Sequence, residues 1–224
     1  MIVDPHHHLH DITNNYYPWL SDDVAPADIF GDNPEKLRTD YLIGDYLADI
    51  KDVGVSKSVH IQNGWDPKDP AGETKWVQAI ADAHGLPQAI VAYAELQSGN
   101  LGRLLDEHSR SANLRGIRQI LNWHQDPALR FIQDPDLMNR AAWRSGFAEM
   151  SKRGLSFDLQ IYHHQAADAL KLAAEFSNAA IVLDHGGMPL DRSVDALEAW
   201  RKSMRELARA PNVYVKLSGL ALGQ

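Results

Sequence analysis

Residues 181–189 read IVLDHGGMP, and this stretch decides the fold. A short apolar run ends at Asp184-His185 and passes straight into two glycines and a proline. An apolar run bounded by turn residues reads as a strand. Titratable residues at a strand's C-terminal end stand where barrel enzymes keep their active sites. Six other stretches share this form: 2–8, 58–63 (SVHIQN), 89–96 (AIVAYAEL), 116–121 (GIRQIL), 155–162 (LSFDLQIY) and 213–218 (VYVKLS). Amphipathic segments with apolar residues three and four apart lie between them, at 39–52, 73–84, 101–110, 135–153, 165–176 and 191–209. Gly54, Gly85 and Gly154 follow three of these as C-cap glycines.

Strands alternating with helices mean βα units and a parallel sheet. Polar groups recurring at the strand ends favour a (β/α)₈ TIM barrel over a doubly wound α/β sheet. Seven strands are one short of that barrel, and 224 residues fall below the roughly 250 it usually takes. The expectation is a single barrel domain over 1–224, truncated before its eighth strand, whose natural chain is longer. Residues 12–38 are too long for an ordinary βα connection and read as an insertion over the barrel mouth. There Tyr16, Tyr17, Trp19 and Phe30 either wall a pocket or pin the loop down.

A net charge of −8, spread along the chain, argues against a nucleic-acid or anionic-membrane partner and leaves a small-molecule substrate as the expectation. The absence of cysteine removes disulfides and thiolate metal sites. With no signal-like N-terminus and no membrane-length apolar run, a cytoplasmic location is expected. Homo-oligomerisation stays open.

The first strand runs into four histidines, IVDPHHHLHD at 2–11. Residues two apart share a strand face, so His6 and His8 project together, His7 points away and His10 is incidental. A terminal tag remnant would be an uninterrupted run, which Leu9 breaks. Two adjacent imidazoles either bind one divalent ion or both donate hydrogen bonds to a carbonyl under attack. His185 joins them as a strand-end histidine, its glycines letting backbone approach a ligand. Arg118 alternates with Ile117 and should point inward, where a guanidinium needs an anion. That anion is either a structural carboxylate, such as Glu95, or a substrate carboxylate. Gln160 and Lys216 occupy comparable positions and would orient substrate or complete an interior polar network.

Together VDPHHHLHD, GIRQIL, LSFDLQIY, IVLDHGGMP and VYVKLSGL, in this order along nearly the whole chain, resemble the amidohydrolase superfamily. The likeness is to the amidohydrolase-2 branch of pyrone-dicarboxylate and sugar-acid lactonases. It implies a (β/α)₈ barrel in which His6, His8 and His185 surround a substrate carbonyl, with Arg118 holding a carboxylate. It also implies an aspartate ending strand eight as the base for water. No matching motif is present, and only Ala221–Gln224 follow Leu220. Metal-dependent members carry a strand-five histidine where this chain has Gln160, with His163 and His164 falling after the strand.

The expected activity is opening of a small carboxylated lactone, either a sugar-acid or an aromatic-degradation intermediate. His6, His8 and His185 would be catalytic, and Arg118, Gln160 and Lys216 would bind substrate. Catalysis without a required metal is favoured, with zinc or another divalent ion on His6, His8 and His185 as the alternative. Other readings are a metal-dependent amidohydrolase, a decarboxylase of the same superfamily, or a non-catalytic carboxylate-binding remnant.

Overall fold

The computed structural model describes residues 1–22 and 34–219. Phe30, residues 23–33 of the expected insertion and residues 220–224 lie outside them. Seven strands form one sheet in sequential order: β1 (Ile2–His7), β2 (Val55–Ile61), β3 (Ala89–Tyr93), β4 (Leu114–Ile120), β5 (Ser156–Gln160), β6 (Ile181–Leu183) and β7 (Val213–Val215). The helices are α1 (Pro18–Ser21), α2 (Ile43–Ile50), α3 (Gly72–His84), α4 (Leu101–His108), α5 (Ala141–Lys152), α6 (Ala166–Glu175) and α7 (Val194–Leu207). The pairs β1/β2, β2/β3, β5/β6 and β6/β7 are parallel, as helical crossovers require.

Two compact units divide the described chain, one of residues 1–22, 34–94 and 102–116, the other of 95–101 and 117–219. In the first unit, Leu9, Ile61, Val77, Ile90 and Leu105 are fully or almost fully buried. The β1/β2 ladder is irregular: Asp4 pairs with Ser58 and His7 with His60, three steps on β1 against two on β2. Pro5 lies in this bulge, where a residue with no N–H removes nothing from a regular ladder. Asp4 steadies it, accepting from the His6 N–H at 3.1 Å and from the Tyr46 hydroxyl at 3.0 Å.

In the second unit an aromatic cluster forms the core. The Phe147 ring lies 5.6 Å from Trp143, 5.3 Å from Phe157 and 4.7 Å from Phe176. Phe157 thus fixes the core side of β5, and strand alternation sends Asp158 and Gln160 to the other face. Asn212 leads into β7 and donates to the carbonyls of Ala173, Phe176 and Ala179 at 3.2, 3.1 and 3.0 Å.

Several boundaries differ from the sequence expectation. β2 starts three residues before Ser58, because Val55 pairs with Ile2 although its neighbours are exposed. The helix expected at 135–153 begins only at Ala141, since Arg140 is extended and a 3-10 turn, Leu137–Asn139, precedes it. In the described part of the insertion, Tyr17 is fully buried and the Trp19 indole donates to the Asn63 carbonyl at 2.6 Å, so these two pin the loop. Tyr16 is exposed and bonds Asp22.

His108, on α4, is fully buried; its Nε2–H donates to the Tyr93 carbonyl at 3.0 Å and its Nδ1 lies 2.9 Å from the Thr74 hydroxyl. Burial pushes its pKa below the usual histidine value. Below pH about 6.5 the unfolded chain takes up a proton that folded His108 refuses, so stability is full above that pH and falls as pH drops. Urea titrations at pH 7.5 and 5.5 should show this loss, at most about 1.4 kcal/mol per pH unit for one group, and His108→Leu should reduce the slope.

Candidate active site

His6 and His8 stand together at the end of β1, their Nε2 atoms 3.1 Å apart and their rings edge to face. His8 Nδ1 lies 2.8 Å from the Ile61 carbonyl, which can only accept, so this nitrogen carries the proton. In neutral His8 the Nε2 is therefore a bare lone pair. That corrects the expectation that both histidines donate to a carbonyl: His6 can donate from Nε2, and neutral His8 can only accept there.

His7 faces the other way, as alternation requires, stacked on Tyr46 at 4.1 Å and 3.1 Å from the Ser58 hydroxyl. Burial, then the neighbouring His60, pushes its pKa down to about 3. His10 is tied into structure: its backbone pairs with Tyr41 and its Nδ1 lies 3.2 Å from the Asn63 amide.

In the second unit, Arg118, Gln160 and Lys216 belong to one buried cluster, with two carboxylates that the sequence reading did not assign to the site. Arg118 Nη1 donates to Gln160 Oε1 at 3.1 Å and lies 3.7 Å from Asp184. Lys216 Nζ bonds Asp158 and sits 3.1 Å from Asp184. Of the two carboxylates weighed for Arg118, the structural kind is present, supplied by Asp184 on the turn after β6. All five side chains are buried. Burial and the charge of Asp184 raise the Asp158 pKa, against the pull of Lys216 and Arg118. Strand alternation puts Asp158 on the face of Gln160, two residues on, but does not mark it as a buried partner rather than a solvated residue.

His185 belongs to a left-handed turn, with φ of 53° at His185, 57° at Gly186, 73° at Gly187 and 48° at Met188. Such backbone costs about 1 kcal/mol or more at each non-glycine residue. The glycines serve this turn, and anchors hold it: Trp200 Nε1 donates to the Gly186 carbonyl at 2.7 Å and the Gly186 N–H to the Lys216 carbonyl at 3.1 Å. His185 Nδ1 then lies 2.9 Å from the Ser218 hydroxyl. Because a hydroxyl donates or accepts, Nε2 of His185 can carry a proton or a lone pair. His163 and His164 fall in a 3-10 turn after β5, as expected.

A family model described as amidohydrolase matches residues 3–222. The chain belongs to the amidohydrolase family. It is a hydrolase by that membership, and its fold is the family's (β/α) barrel type, with seven strands among the described residues. It is 50% identical over 222 residues to an uncharacterized protein, y4mH, of Sinorhizobium fredii, covering 99% of this chain and 74% of that protein. It is 29% identical to an L-fucono-1,5-lactonase of Burkholderia multivorans, covering 97% of this chain and 68% of that protein. A crystal structure of a Burkholderia multivorans amidohydrolase with bound zinc superposes with a TM-score of 0.74 at 26% identity, covering 97% of this chain and 69% of that one.

Gly219 packs against His185, and a Cβ there would sit 2.8 Å from the imidazole. Gly219→Ala should therefore shift the His185 ring. The expected result is a displaced His185 imidazole NMR signal and a several-fold loss of hydrolytic activity, with a melting temperature within a few degrees of the parent.

Proposed function

We propose that this amidohydrolase opens a sugar-acid lactone by attack of water on the ring carbonyl. The observation that carries the reading is the β1 histidine pair, in which one Nε2 is fixed as a lone pair 3.1 Å from the other. The L-fucono-1,5-lactonase likeness over nearly the whole chain supports the substrate class. Charge narrows it further. Arg118 and Lys216 already face Asp158 and Asp184, two cations against two carboxylates. A substrate carboxylate would have to compete with Asp158 and Asp184 for these cations, so a neutral lactone ring suits this cluster better than a carboxylated one.

The pair also fits a divalent ion. Two imidazole nitrogens on a tetrahedral zinc stand about 3.3 Å apart, and a ligating nitrogen must be unprotonated, as His8 Nε2 is. The expectation of metal-free catalysis is thus the less favoured by this donor set, and His6 and His8 are the residues that would hold the ion. When bound, such an ion supplies Lewis acidity towards a carbonyl oxygen. The protein's own groups do the rest. As water adds to the carbonyl carbon it gives up a proton and negative charge grows on the carbonyl oxygen; when that charge collapses, the ring C–O bond breaks and the ring oxygen takes the proton that the water gave up. In the second unit, His185, with Ser218 at its Nδ1, can hold or take a proton at Nε2. Gln160 keeps Arg118 in place within the cluster.

Acid release from a panel of aldonolactones, including L-fucono-1,5-lactone, and from 2-pyrone-4,6-dicarboxylate should favour the neutral sugar lactones by at least tenfold in kcat/KM. Preference for the dicarboxylate would sink the charge argument; no ring opening with any lactone would sink the activity, and CO₂ release would mark a decarboxylase instead. Metal analysis and chelation form a separate check. One stoichiometric divalent ion, lost in His8→Ala and needed for turnover, is the expected outcome.

A further inference from the structure

His8 and Leu9 lie just past β1, which ends at His7, so the sheet ladder no longer holds them. Two adjacent residues of β2 take over. The Ile61 carbonyl holds the His8 ring through Nδ1 at 2.8 Å, and the Leu9 N–H donates to Nδ1 of His60 at 3.2 Å. An imidazole nitrogen that accepts a backbone N–H carries no proton, so neutral His60 has its proton on Nε2. That proton faces Glu73 Oε1, 3.1 Å away on the first turn of α3. The same oxygen accepts the Asn63 N–H at 2.6 Å. His60 is fully buried and Glu73 almost so. The contact is therefore a neutral imidazole donating to a carboxylate, because an imidazolium would set its second proton against the Leu9 N–H.

We propose that His60 and Glu73 are positioning residues for His8. Glu73 fixes the His60 tautomer, that tautomer lets Nδ1 accept the Leu9 N–H, and this bond fixes the main chain where His8 leaves the strand. The Ile61 carbonyl, next to His60, then finds His8 Nδ1 in one ring orientation, and Nε2 stays a lone pair. The role rests on the proposed place of His8 in the reacting site.

The two bonds of His60 can be removed separately in the full chain. His60→Asn leaves an oxygen able to accept the Leu9 N–H and loses the reach to Glu73. His60→Gln keeps a donor for Glu73 and loses that acceptor, while Glu73→Gln keeps an acceptor and removes the charge. Imidazole ¹⁵N shifts of His8, zinc affinity, kcat, KM and melting temperature are measured for each. The parent should show His8 protonated on Nδ1. His60→Gln should mix the His8 tautomers, weaken zinc binding about tenfold and lower kcat about tenfold with KM within threefold, whereas His60→Asn and Glu73→Gln should stay nearer the parent. If the folded variants all melt lower while the His8 shifts and zinc affinity match the parent, His60 and Glu73 are only structural and the proposal falls. Equal effects of Asn and Gln would overturn it as well. A His8→Ala variant with undiminished lactone opening and zinc binding would instead defeat the proposed function, and the His8 tautomer readout would still judge the positioning role.

Discussion

The Ile61 carbonyl at the end of β2 decides what the paired histidines can do. A carbonyl oxygen only accepts, so by holding Nδ1 of His8 it strips Nε2 of its proton in the neutral ring. The chemistry open to the pair follows from that one bond: His6 keeps a donor, His8 offers a lone pair, and their 3.1 Å separation suits one shared proton or one shared ion. The bulge at Pro5, Asp4 beneath it and the buried His60 beside it all bear on the same few residues. The local structure of the first unit is arranged around the point where β1 ends.

The second unit meets a different constraint. Arg118 and Asp158 on its strands, and Asp184 and Lys216 just past the ends of β6 and β7, meet in one buried cluster, where isolated charges would cost several kcal/mol each. Their mutual pairing offsets part of that penalty, with Gln160 accepting from a further donor of Arg118. A balanced cluster is a poor grip for an additional anion. Beside it the left-handed run from His185 to Met188 stores backbone strain, which the Trp200 indole and the Lys216 carbonyl hold in place.

Strand alternation was enough to separate His6 and His8 from His7, because a side-chain period of two survives even beside a bulge. The same alternation turned Arg118 inward, and apolar runs located all seven strands. It missed Asp158 because an acid flanked by Phe157 and Leu159 has no local mark that distinguishes a buried partner from a solvated residue. His60 and Glu73 escaped for a similar reason: they matter through bonds to Leu9 and to each other, at sequence separations of 51 and 13. For Arg118 the sequence reading offered Glu95, and it did not consider Asp184, after β6, which lies 3.7 Å from the guanidinium.

The sequence by itself determined the βα order, the absence of thiolate chemistry, the face shared by His6 and His8, and the strand-end address of His185. Each is a local property, set by apolar period, residue type or the strand repeat. Only the tertiary structure decided which nitrogen of His8 carries the proton, which carboxylates answer Arg118 and Lys216, and that the turn at His185 is left-handed. Those depend on acceptors and donors brought from distant parts of the chain, and a hydrogen bond's direction is fixed by the partner that arrives.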